Sequence, residues 1–112
     1  MAIISNLTVD QGTTFSAEIA VTDVDGNILD LTPYNASGQI RKTYSSSTAI
    51  DFGTSIPNPT NGNLQISLTP DQTNSMKAGR YVYDVEITDG TGASVIRVLE
   101  GQVEVMPGVT RG

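Results

Sequence analysis

Apolar and polar residues alternate through most of this chain, with the two-residue period of strands that bury one face. Phe15, Ala17, Ile19 and Val21 are separated by Ser16, Glu18 and Ala20, which predicts a strand over residues 15–21. Val24-Asp25-Gly26-Asn27 then supplies a hairpin turn, because Asp-Gly readily takes positive φ. A short strand over residues 28–31 should follow, closed by Thr32-Pro33. A weaker alternation over 36–44 places Ala36, Gly38, Ile40 and Lys42 on one side. Ser45-Ser46-Ser47 reads as a turn, since residues 49–53 resume an apolar pattern. Pro57, Pro59, Asn61 and Gly62 predict the longest irregular loop. Beyond it, Leu64, Ile66 and Leu68 alternate with Gln65 and Ser67 as the next strand.

Thr69-Pro70-Asp71-Gln72 has the form of a helix start: Thr as N-cap, Pro at the first helical position, Gln three residues after the cap. Gly79 limits that helix to about two turns. Tyr81, Tyr83, Val85 and Ile87 then alternate with Val82, Asp84, Glu86 and Thr88, and Asp89-Gly90-Thr91-Gly92 marks a second hairpin. The final strand, residues 93–106, is apolar on both sides, with Val95, Leu99, Val103 and Val105 against Ile96, Val98 and Met106. A run of that length implies a bulge, for which Gly101 is the expected place, and Pro107-Gly108 ends it.

About seven short strands, one helical turn and no internal repeat indicate an all-β, immunoglobulin-like antiparallel sandwich, with an open barrel as the alternative. Such sandwiches often place a tyrosine after the turn between two strands, its hydroxyl bonding back to that corner; Tyr81 and Tyr83 are equal candidates, and both also fit as ordinary strand aromatics. The expected core is Phe15, Ile19, Val21, Ile40, Leu64, Ile66, Leu68, Tyr81, Val85, Ile87, Leu99 and Val103.

A length of 112 residues suits one domain spanning residues 1–112, large enough to bury a stable core without disulfides. Twelve acidic residues against six basic ones give a net charge of −6, which disfavours nucleic acid and anionic membranes as partners. No stretch approaches the ~20 apolar residues of a membrane span. The start, Met1-Ala2-Ile3-Ile4-Ser5-Asn6, lacks the pattern of a signal peptide, so synthesis in a cytoplasm without export is expected.

Histidine and cysteine are absent, which removes nucleophile–imidazole pairs and almost every zinc site. The carboxylates sit at turns or on polar strand faces, so no glycosidase-type pair is expected and the chain reads as non-enzymatic. Asp23-Val24-Asp25-Gly26 lacks the later oxygen ligands of a calcium loop, and with Asp89 it is read as turn chemistry. Asn6-Leu7-Thr8 and Asn35-Ala36-Ser37 match the glycosylation sequon but should be inert without export. Gly90-x-Gly92 is a turn and not a phosphate cradle. Arg41, Lys42, Lys77, Arg80 and Arg97 are scattered, and Arg41 is expected to pair a carboxylate across strands or to serve an interface. No catalytic, cofactor-binding or metal-ligating residue is assigned, and no cofactor.

A set of short motifs runs through nearly the whole chain: Gln11-Gly12-Thr13-Thr14-Phe15, Asp25-Gly26-Asn27 with Asp30-Leu31-Thr32, and Gln39-Ile40-Arg41-Lys42. Gly62-x-Leu64 with Leu68-Thr69, Gly79-Arg80-Tyr81-x-Tyr83-Asp84, and Glu100-Gly101-Gln102-Val103-x-Val105 with Pro107 and Val109-Thr110-Arg111 complete it. In their order and spacing these resemble small virion proteins of tailed bacteriophages, of the kind found in phages of marine cyanobacteria. They are also similar to the N-terminal module of phage baseplate upper proteins, which continue into a long C-terminal part where this sequence stops at Gly112. The resemblance implies a multicopy virion unit, made in the bacterial host cytoplasm and attached to capsid, neck or tail through other virion proteins or self-association. A carbohydrate-binding or host-adhesion module for a host-surface glycan is the second expectation, against which stands the absence of Trp. Residues 1–9 and 107–112, carrying Ile3, Ile4 and Val109, are the expected docking arms, together with one exposed strand edge.

Overall fold

The computed structural model describes residues 3–23, 25–92 and 94–109; Val24 of the first hairpin, Ala93 of the last strand and the outermost parts of both expected arms lie outside the described residues. The strands are β1 (Ile3–Ile4), β2 (Leu7–Asp10), β3 (Phe15–Ala20), β4 (Tyr34–Arg41), β5 (Ile50–Asp51), β6 (Gly53–Asn58), β7 (Asn63–Leu68), β8 (Gly79–Asp89) and β9 (Val95–Met106). One helix, α1 (Pro70–Ser75), lies between β7 and β8. One sheet has the order β1-β9-β8-β4-β5, with β2 also on β9; the other has the order β3-β7-β6. These two sheets pack as an immunoglobulin-like β-sandwich. β1 and β2 run parallel to β9, whereas the other pairings are antiparallel, so the larger sheet is mixed.

The core forms where inward positions of both sheets meet. Leu64, Ile66 and Leu68 of β7 face Ile40, Val85, Ile87, Leu99 and Val103, all buried. Val9, Leu31, Phe52, Met76, Val98 and Val105 join them. Phe52 sits where the chain leaves β5 and crosses to β6 in the other sheet, and its ring meets Tyr83 edge-on at 5.9 Å. A Cβ at Gly38 would press against Phe52, Val85 and the Asp84 carbonyl, so the glycine makes room for that ring.

The capping box forms as the sequence implies: Gln72 N–H donates to Thr69 Oγ1 at 3.2 Å and Thr69 N–H to Gln72 Oε1 at 2.9 Å. Tyr81 is the corner tyrosine, its hydroxyl donating to the Lys77 carbonyl at 2.8 Å, while Lys42 Nζ lies 4.7 Å from its ring centre. Tyr83 is instead a core aromatic whose hydroxyl donates to the Ser5 carbonyl at 2.6 Å.

Several expectations are corrected. The bulge lies at Val98 and not at Gly101: the β8–β9 register steps from Val85↔Leu99 to Glu86↔Arg97, leaving Val98 as the extra residue. The step turns consecutive residues Val98 and Leu99 both inward, which is why the sequence of β9 is apolar in both phases. Gly101 pairs in register with Tyr83 and serves a different need, because a Cβ there would overlap the Ser5 carbonyl where the N-terminal segment crosses β9. The expected strand at 28–31 shrinks to the bridge Thr22↔Ile28, with Leu29 N–H bonded to Val21 O and Leu31 N–H to Pro59 O. The expected long loop is mostly ordered, since β6 continues through Pro57 and a 3₁₀ turn (Pro59–Asn61) leads to β7. An edge strand tolerates Pro57 because that side needs no N–H donor. The N-terminal arm is no free arm: β1 and β2 are built into the sheet beside β9.

Candidate functional site

Among the described residues, one surface concavity is polar and another is apolar. The polar trough, about 490 Å³, lies over the outer face of β4, β8 and β9 and reaches Phe52 beyond the short β5. Strand alternation brings Ser37, Gln39 and Arg41 of β4 beside Glu86, Asp84 and Val82 of β8. Arg41 donates to the Ser46 carbonyl at 2.6 Å and to Gln39 Oε1 at 2.9 Å, and Gln39 Nε2 donates to Asp51 Oδ1 at 2.9 Å. Arg41 therefore reaches a carboxylate only through Gln39, which corrects the expected direct pair. Arg97 lies 3.4 Å from Asp84 and 3.8 Å from Glu100. These half-exposed ion pairs are each worth ~0–1 kcal/mol and leave the trough a mosaic of donors and acceptors. Tyr44, 84% exposed, stands on its rim.

The apolar concavity, about 390 Å³, is lined by Ile3, Val21, Thr22, Asp23, Leu29, Ile96 and Val98. It lies in the seam between the two sheets, where β1 edges one and β3 edges the other. The N-terminal segment pairs with β9 and not with β3, so no strand among the described residues covers that side of β3. Phe15, Ala17 and Ile19 point inward yet stay half-buried, whereas their partners Leu68, Ile66 and Leu64 on β7 are buried. Of the expected core, Phe15 and Ile19 pack against the buried cluster but stay half-buried for this reason; Tyr81 is half-buried because its ring lies at the corner, under Lys42.

The aspartates weighed for calcium are divided between turns. Asp23 Oδ1 accepts from Asp25 N–H at 2.9 Å and Asn27 N–H at 3.0 Å; Asp89 Oδ1 accepts from Thr91 N–H at 3.1 Å and Thr91 Oγ1 at 2.9 Å. Asp30 is held below the usual carboxylate range by the Thr32 hydroxyl and then the Thr32 N–H. Among the described residues no group of three or more acidic residues is placed to share a metal ion. No described helix is long and apolar enough to cross a membrane. Asn6 of the first sequon uses its amide oxygen to accept from Gln102 N–H at 3.1 Å.

The seam was missed in sequence because edge status depends on which strand the N-terminal segment joins. The one local sign is Gly101, whose missing side chain lets Ser5 cross β9.

No family model matches the sequence, and no curated protein matches it. Among solved structures, the chain is similar to Listeria monocytogenes InlP, with 19% identity and a TM-score of 0.48 over 91% of this chain and 26% of that one. It is similar also to a family 123 glycoside hydrolase from Clostridium perfringens, with 16% identity and a TM-score of 0.47 over 96% of this chain and 23% of that one. The chain spans about a quarter of the length of each. At these values the likeness carries no argument about activity or partners.

Proposed function

We propose that the chain is a non-enzymatic structural unit of a bacteriophage virion, present in many copies and held to capsid, neck or tail by protein–protein contacts. The observation that carries the reading is the apolar surface the folded chain leaves uncovered. Ile3, Ile4, Ile28, Val95, Met106 and Val109 are exposed, and the first of them lines the open seam. Uncovered apolar residues beside an open strand edge are what an assembly contact uses. The motifs that resemble those of phage virion proteins serve the frame itself: Gln11 Nε2 donates to the Met76 carbonyl, Tyr81 makes the corner and Gly101 admits the N-terminal crossing. That division suits a scaffold whose mechanism is surface complementarity, with many copies adding avidity. The unit is made in the host cytoplasm and resides in the particle, with other virion proteins or further copies of itself as neighbours.

Because β1 belongs to the sheet, truncating the N-terminus would damage the fold, and point changes are the better test. Ile4 is 76% exposed and Val109 98%, so Ile4→Asp and Val109→Asp should fold as the wild type does. In phage carrying them, copies per particle should fall several-fold for at least one variant. Wild-type copy number for both would remove these residues from the contact.

A second reading, a module binding a host-surface glycan, is favoured by Tyr44 on the rim of the polar trough. An exposed ring beside Gln39, Arg41 and Asp51 offers stacking and paired hydrogen bonds to a sugar. Under it, Tyr44→Ala should abolish binding on a glycan array; no binding by the wild-type chain would dismiss this reading.

A further inference from the structure

We infer that the open edge of β3, with the apolar seam beside it, is an acceptor for one extended strand of another protein, alternating apolar with basic residues. Val21 N–H donates to the Gly62 carbonyl, in step with the β3–β7 ladder. Antiparallel pairing alternates the direction of successive residues, so the ladder turns the N–H and C=O groups of Ser16, Glu18 and Ala20 to the open side. They meet no partner strand among the described residues.

The edge lacks the usual protections. β6, the other edge of this sheet, carries Pro57 and a register irregularity, and β5 at the edge of the larger sheet has two residues. β3 has six residues with no proline, lysine or bulge, and Glu18 is its one charge. A strand laid along it would turn alternate side chains inward, over the half-buried Phe15, Ala17 and Ile19 and into the seam bounded by Ile3, Ile96 and Val98.

Charge and geometry select the occupant. Glu18 on the edge and Asp23 on the seam's wall are the charges there, and no basic residue lines the seam. Lys or Arg opposite Glu18 makes a favourable cross-strand pair, and an acidic residue there is repelled. A second copy's β3 fits poorly, because its inward side chains already belong to its own core and cannot enter the seam. Copies bearing −6 each also repel one another. An extended segment outside any sandwich meets both conditions. The inference rests on the docking reading above, but it is tested without particles, so one can fail while the other stands.

The experiment is a titration of the ¹⁵N-labelled full chain with blocked eight-residue peptides at low salt, one alternating Val with Lys and one alternating Val with Glu. The Val–Lys peptide should shift the amides of Ser16, Glu18 and Ala20 together with those of Ile96 and Val98, and bind at least tenfold more tightly than Val–Glu. Glu18→Lys should reverse that preference. Glu18→Pro, which removes an N–H on the open side, should abolish binding of both peptides. Shifts confined to Asp84, Glu86 and Glu100 would mean charge attraction to the outer face and overturn the proposal. Equal binding of the two peptides, or peptide-free dimerisation through β3, would overturn it as well.

Discussion

Ile66 is 0% exposed at the centre of β7, paired with Ala17 on one side and Thr54 on the other. Removing three of its carbons opens a cavity that these neighbours cannot close, so Ile66→Ala should cost ~2–5 kcal/mol in a urea or guanidinium titration. Tyr83 carries a different signature. Burial pushes its phenol up from 10.0 to about 12. The raised value means the folded chain favours the neutral phenol, and that contribution is fully present below about pH 10, where the unfolded tyrosine is neutral as well. It is lost as pH rises from there through about 12. An absorbance titration of wild type against Tyr83→Phe should show one tyrosine ionising late, and the stability gap between the two should narrow over that window. A Tyr83 that ionises near the ordinary 10.0 would contradict the burial described.

Among the elements, the capping box at Thr69, the helix behind it and the alternation of β3, β4, β7 and β8 were legible because each is set by neighbours in sequence. What the sequence hid depends on pairing across the sandwich. Val98 reads as out of phase until the register shows that β9 gains a residue against β8. Pro57 reads as a loop residue until β6 is seen to lie at an edge. The strand 28–31 reads as regular, yet Leu29 and Leu31 each bond a different segment and no ladder forms. The open side of β3 is the most consequential of these, and it has its own test. Amide exchange along the strand should alternate, with Ala17 and Ile19 protected ~10-fold or more over Ser16, Glu18 and Ala20. Uniform protection would mean that the edge is covered in the isolated chain.

For the whole molecule, the acidic surface, the mosaic of mutually paired side chains on the outer face and the uncovered apolar seam all suit a unit that works by being held in place. Of the candidate site, the apolar residues Ile3, Ile4 and Val109 were legible in the sequence. Which strand edge stays open and where the seam lies were not, since both arise only when the N-terminal segment pairs with β9. The measurement that bears most directly on the proposed virion role is a cryo-EM reconstruction, with symmetry and local refinement, of the phage particle to which that proposal assigns the chain. It should show repeated copies of this sandwich on capsid, neck or tail, each seated through the edge formed by β1 and β3. A complete map of the particle in which no density accommodates the sandwich would contradict the account.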